Sequence, residues 1–156
     1  MLVREAKWFR DRLREDSPER LFPMLNVGSQ TEDFRRIGQP WIDKYIFAPL
    51  RAAGHEVVHT DVKEAPGVDL VGDLLDPRFR DQLRRRRFRS ILFSNVLEHV
   101  TQRETISQCL AEVVEPGGRL LWPKNMQISE RECEGSIDDA LQVMQKEFAE
   151  AIEIGL

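Results

Sequence analysis

Long apolar runs are missing from this sequence. No stretch approaches the roughly 18 apolar residues that cross a bilayer as a helix, so no membrane-spanning segment and no membrane partner are expected. Cysteine is nearly absent. Cys109 and Cys133 are too few for a disulfide framework and fit no zinc spacing, so both are expected to be reduced thiols, with no metal site. The first residues lack the apolar core of a secretory leader, because Arg4, Glu5 and Lys7 interrupt it; the chain is expected to be cytoplasmic. A basic excess is lacking as well. The net charge of −4 argues against nucleic acid as the main partner.

What is present fits one soluble domain spanning residues 1–156: 41% hydrophobic residues, 32% charged residues and a mean hydropathy of −0.44. Charge is unevenly spread. Residues 78–89 carry seven arginines against Asp81 alone, and residues 130–153 carry eight acids against two bases. The arginines follow an apparent helix, where they oppose its dipole, and no interleaved aromatics suggest base stacking.

Leu2, Ala6, Phe9 and Leu13 recur at helical spacing, which predicts an amphipathic helix over 2–15 ended by Ser17-Pro18. Met24–Ser29 reads as a short apolar strand opening into a glycine turn at Gly28. Residues 31–39 lengthen the connection to a helix that starts at Pro40, is disturbed at Pro49 and is capped by Gly54. Trp41, Tyr45 and Phe47 on that helix are expected to pack in the core. A second strand, Val57–Asp61, ends in an acid, and a third, Val68–Leu75, ends in Gly-Asp-Leu. Asp76 with Pro77 marks the start of a helix.

The stretch 88–100, FRSILFSNVLEHV, organises the rest. Its apolar run suits a strand buried on both faces of a parallel sheet, and it turns polar at Ser94-Asn95, where such a strand ends. Thr101 and Glu104 suggest a capping box for the next helix, whose buried stripe is Ile106, Leu110, Val113 and Val114. Gly118–Trp122 reads as a fifth strand. Residues 123–135 read as a loop, and Ile137, Leu141, Met144, Phe148 and Ile152 predict a C-terminal helix.

The order strand, Asn95, Val96-Leu97-Glu98-His99-Val100 resembles the fourth strand of class I methyltransferases of the type 11 kind, which use S-adenosylmethionine (SAM). Val114-Glu115-Pro116-Gly117-Gly118-Arg119-Leu120-Leu121 resembles the same family's fifth-strand signature. The resemblance covers residues 25–122 and implies an α/β, Rossmann-like, doubly wound and mainly parallel sheet of order 3-2-1-4-5. It implies SAM as cofactor and a small-molecule acceptor. Cofactor-binding residues carried over by position are Asn26, Gly28 and Ser29 in the first loop, Asp61 for the ribose hydroxyls, Asp73 and Leu74 for the adenine, and Asn95. His99 is the one candidate catalytic base.

The first loop departs from the family. Asn26 stands where an acid is usual, and Gln30 occupies the second glycine position. The separation of Gly28 from Asp61 is 33 residues rather than the roughly 20 usual in dinucleotide sites. No sixth and seventh strands are legible. A second reading is therefore a catalytically inactive binding or assembly module of the same fold. In either reading the uncovered fifth-strand edge predicts a homodimer through that edge or the C-terminal helix, or a C-terminal helix folded back over the edge. A third, a short-chain dehydrogenase relative, needs a Tyr-x-x-x-Lys pair; Tyr45 is the sole tyrosine and position 49 is proline.

Overall fold

The computed structural model of the protein describes residues 1–94, 96 and 103–122. Five strands form one parallel sheet in the order β3-β2-β1-β4-β5, with β1 Met24–Val27, β2 Val57–Asp61, β3 Leu70–Val71, β4 Phe88–Phe93 and β5 Val114–Leu121. This is the expected α/β, Rossmann-like arrangement. Residue 95, the segment 97–102 with His99 and Thr101, and the C-terminal helix expected over 137–152 lie outside the described residues.

Alternation along the central strands sends side chains into two cores. Leu25 and Val27 of β1, with Phe88, Ile91 and Phe93 of β4, pack against α5 (Pro77–Arg84) and α6 (Arg103–Val113). Met24 and Leu92 point the other way, against Ala6 and Phe9 of α1 (Val3–Glu15) and Ile42, Ile46 and Phe47 of the second helical region. Every residue of β1 is buried, as a central parallel strand covered on both faces requires. A short turn of helix, α2 (Pro18–Leu21), links α1 to β1 and buries Leu21.

The connection from β1 to β2 is helical earlier than its sequence suggests. Residues 34–38 form a π-helical turn, closed by Gln39 N–H donating to the Phe34 carbonyl at 2.7 Å. After a break at Gln39 come α3 (Pro40–Ile42), a second π-helical turn (Asp43–Phe47) and α4 (Ala48–Ala52). Pro49 explains the second widening. It lacks an N–H and its ring would press on the carbonyl four residues earlier, and a wider turn just before it relieves both problems. Most of the 33-residue separation of Gly28 from Asp61 is thus helix.

Two strand boundaries differ from expectation. β3 is only Leu70–Val71, because the Asp69 carboxylate accepts the His59 N–H (2.8 Å) and takes over an edge position of the ladder. β5 begins at Val114, within the segment assigned to the preceding helix. Its register against β4 jumps from Phe88↔Val114 to Ser90↔Arg119, so Glu115-Pro116-Gly117-Gly118 bulges out. The Asp76 expectation holds: its side chain accepts Arg78 N–H at 2.9 Å, with Pro77 in the first helical turn.

Candidate functional site

The strand order reverses between β1 and β4, the place where open α/β sheets leave a crevice beyond their carboxyl ends. A cleft of about 450 Å³ opens there. Its floor is Asn26, Gly28, Ser29 and Gln30 from the end of β1, with Leu92 and Ser94 from the end of β4. Its side wall combines Met1 and Leu2, which lead into the first helix, and Glu5 of that helix with Phe34, Arg35, Gln39, Ile42 and Phe47 of the second helical region. Both π-helical turns therefore contribute to the wall, a placement such turns often take at functional sites.

The glycine turn is held from three sides. Gly28 has φ +67°, and a Cβ there would lie 2.3 Å from Val96 Cγ2, so backbone and packing both exclude a side chain. Gln30 also adopts positive φ, +56°, so the second position of the loop keeps a glycine-like backbone without being glycine. The Gln30 N–H donates to Asp61 Oδ2 at 2.9 Å, and Ser29 N–H donates to the Thr60 carbonyl at 3.0 Å. From the helix side, Arg35 Nη1 donates to the carbonyls of Ser29 (2.9 Å) and Gln30 (2.6 Å), while Nη2 donates to that of Gly67 (2.8 Å).

Arg35 is 5% exposed, and no carboxylate lies within ion-pair distance of it among the described residues. Burial pulls its pKa below the usual arginine value, opposed by the more distant charges of Glu32, Asp69 and Asp43. Glu5 is 7% exposed and accepts the Leu2 N–H. Among the described residues, Ser94 Oγ is buried and has no hydrogen-bond partner.

Asn26, at the position usually acidic, is 4% exposed and its amide lies 2.9 Å from His59 Nδ1, the residue opposite it in the β1–β2 register. Burial first, then Arg35, pushes the His59 pKa down to about 4, with Asp69 acting in the other direction. The neutral ring accepts the Asn26 N–H, and its edge meets Phe47 at 4.7 Å between ring centres.

Of the residues singled out from sequence, Asn26, Gly28 and Ser29 share the cleft floor. Asp61 stands behind the loop, one oxygen taking the Gln30 N–H and the other the Lys63 N–H at 3.2 Å. Asp73 and Leu74 follow β3 and do not line the cleft. The Leu74 side chain is in the core, and Asp73 Oδ1 accepts the Leu75 N–H at 2.9 Å. Asn95 and His99 are outside the described residues. Cys109 is buried, and burial raises its thiol pKa, so it is a packing residue. Among the described residues, no group of His, Cys, Asp and Glu could hold a metal, and no helix is long and apolar enough to cross a membrane.

Sequence reasoning passed over Glu5, Arg35 and Gln39. The only available signal was positional: Arg35 and Arg36 lie within the 31–39 connection, about one helical turn beyond the glycine turn whose carbonyls Arg35 reaches. No family model and no curated protein matches the chain.

Proposed function

We propose that the protein is a SAM-dependent methyltransferase acting on a small-molecule acceptor. The observation that carries this reading is the left-handed backbone at both Gly28 and Gln30, at the reversal point of a 3-2-1-4-5 sheet. That turn lets a ligand approach main chain directly. The residues present fit such a cofactor. The Asp61 carboxylate has about four acceptor positions and spends two on N–H groups, which leaves capacity for a pair of hydroxyls. Val62, next to it in the chain, is 63% exposed, and Leu75, four residues beyond β3, is 37% exposed, apolar surface suited to a heterocycle. The orphan Ser94 Oγ offers a polar contact on the cleft floor.

Bound SAM supplies an electrophilic methyl group on a sulfonium. The chain contributes position and dryness: Leu92 of the floor and Ile42 and Phe47 of the wall supply apolar surface, and the floor loop is held by Asp61 and Arg35. A base is required only for an acceptor that must lose a proton.

One observation favours the second reading, a binding or assembly module without catalysis. The Asp61 Oδ2–Gln30 bond ties the supposed ribose acceptor to its own loop. Calorimetry with S-adenosylhomocysteine separates the two. We expect binding, weakened by about 1–3 kcal/mol in Asp61→Ala through loss of a charged partner. Absence of both heat and thermal shift at millimolar ligand selects the module.

A further inference from the structure

Four consecutive arginines, Arg84, Arg85, Arg86 and Arg87, are all exposed at the turn from α5 into β4. They stand at the amino ends of the strands, the opposite end of the sheet from the cleft. The helix dipole acts within about the last turn, so it favours Arg84 and does not call for Arg86 and Arg87. Their ion pairs are long or exposed: Arg84 with Asp81 at 3.7 Å, Arg86 with Glu56 at 4.0 Å and Arg87 with Glu115 at 3.2 Å. Among the described residues, no carboxylate pairs with Arg85. Surface pairs of this kind contribute little, and the corner keeps a concentrated positive charge.

A groove of about 720 Å³ lies beside that corner, between the end of α5 and the junction of α6 with β5. Arg84 and Arg85 line one bank, and Ala111 and Pro116 give the other apolar surface. The acids of the second bank are already engaged, Glu112 by Arg80 at 2.7 Å and Glu115 by Arg87. An incoming segment therefore meets arginine and apolar contact.

This chain carries a segment of the complementary chemistry. Residues 130–153 hold eight acids and two bases, together with Ile137, Leu141 and Phe148. Taking those charges away turns the net charge from −4 to +2, so the acidity of the whole protein resides there. The segment also reaches. Leu121 lies opposite Leu92, four residues along β4 from Phe88, or about 13 Å at strand spacing. Residues 122–129 can span up to about 27 Å. So short a tether gives a millimolar effective concentration, which favours the chain's own segment over that of a second copy.

We infer that the arginine corner and its groove dock the acidic segment 130–153 of the same chain. On its way the segment passes the outer edge of β5, which no described strand pairs. The inference is independent of the methyltransferase reading, because the corner lies away from the cleft.

The test uses the full chain, isotope-labelled for NMR. Cys109 is buried, so a thiol-reactive nitroxide is directed to Cys133, inside the acidic segment. Amide signals of Arg84–Arg87 and of Ala111 and Glu112 should lose about half or more of their intensity at about 0.05 M salt, and regain it at about 1 M, where screening acts within about 3 Å. Arg84→Glu with Arg85→Glu should abolish the loss without lowering the melting temperature, since both side chains are exposed. Adding Glu130→Arg, Glu132→Arg and Glu134→Arg to that variant should restore it. Sharp signals at low salt overturn the inference, as does broadening that survives the charge reversal. Broadening that arises only between a nitroxide-labelled copy and a separate isotope-labelled copy assigns the corner to a second chain and overturns it as well. A single-stranded RNA oligonucleotide that shifts Arg84–Arg87 at about 0.15 M salt, while the nitroxide leaves them sharp, names nucleic acid as the occupant instead.

Discussion

Gln30 and Gly28 occupy the same kind of backbone and differ in what a substitution does. Gln30 holds φ +56° with a Cβ, which costs about 1 kcal/mol against glycine in that region. Gln30→Gly should therefore stabilise the fold by up to about 1 kcal/mol, partly offset by greater freedom of the unfolded chain, and should tighten S-adenosylhomocysteine binding by removing a side chain from the cleft floor. Urea unfolding and calorimetry measure the two effects; weaker binding would identify Gln30 as a ligand contact. Gly28→Ala meets positive φ and Val96 together, and should cost about 2 kcal/mol or more.

At the scale of elements, the second helical region and the glycine turn behave as one unit because Arg35 joins them. Its third bond reaches Gly67, where φ is +81° and a Cβ would sit 2.6 Å from Glu32 Cβ and 2.9 Å from Arg35 Nη2. Glycine at 67 is what lets the guanidinium reach across to the β2–β3 connection. Arg35→Met keeps much of the packing and removes all three bonds. It should destabilise by about 2–4 kcal/mol, because buried carbonyls of residues 29, 30 and 67 lose their donors. Amide exchange should rise at Ser29 and Gln30 while the α5–α6 side of the sheet keeps its protection. Uniform loss of protection would contradict the local coupling.

Across the whole molecule, His59 ties stability to pH. Folded, it titrates near 4; its ordinary value is 6.5. Between those values the unfolded chain binds the extra proton, so stability is full above about pH 6.5 and falls as pH drops toward 4. By about pH 5 this amounts to roughly 2 kcal/mol. Urea unfolding from about pH 7 to about pH 5 should show the loss. His59→Gln, which can still accept from Asn26, should flatten that part of the profile.

Much of the architecture was legible because burial on both faces forces continuous apolar runs. Met24–Val27 and Phe88–Phe93 stand out for that reason, and Asp76-Pro77 announces a helix through local chemistry alone. The glycine turn was visible too, since Gly28 follows an apolar strand directly. The bulge in β5 and the brevity of β3 were not, because each depends on which neighbour a backbone group finds across the sheet. The same holds for the cleft wall. The burial of Glu5 and Arg35 and the pairing of Asn26 with His59 join residues tens of positions apart. Local sequence determined where the central strands and the Asp76-Pro77 helix start fall, because propensity and periodicity act over a few residues. Only tertiary structure decided which charges are buried and which polar groups meet, because register and helix docking set those distances.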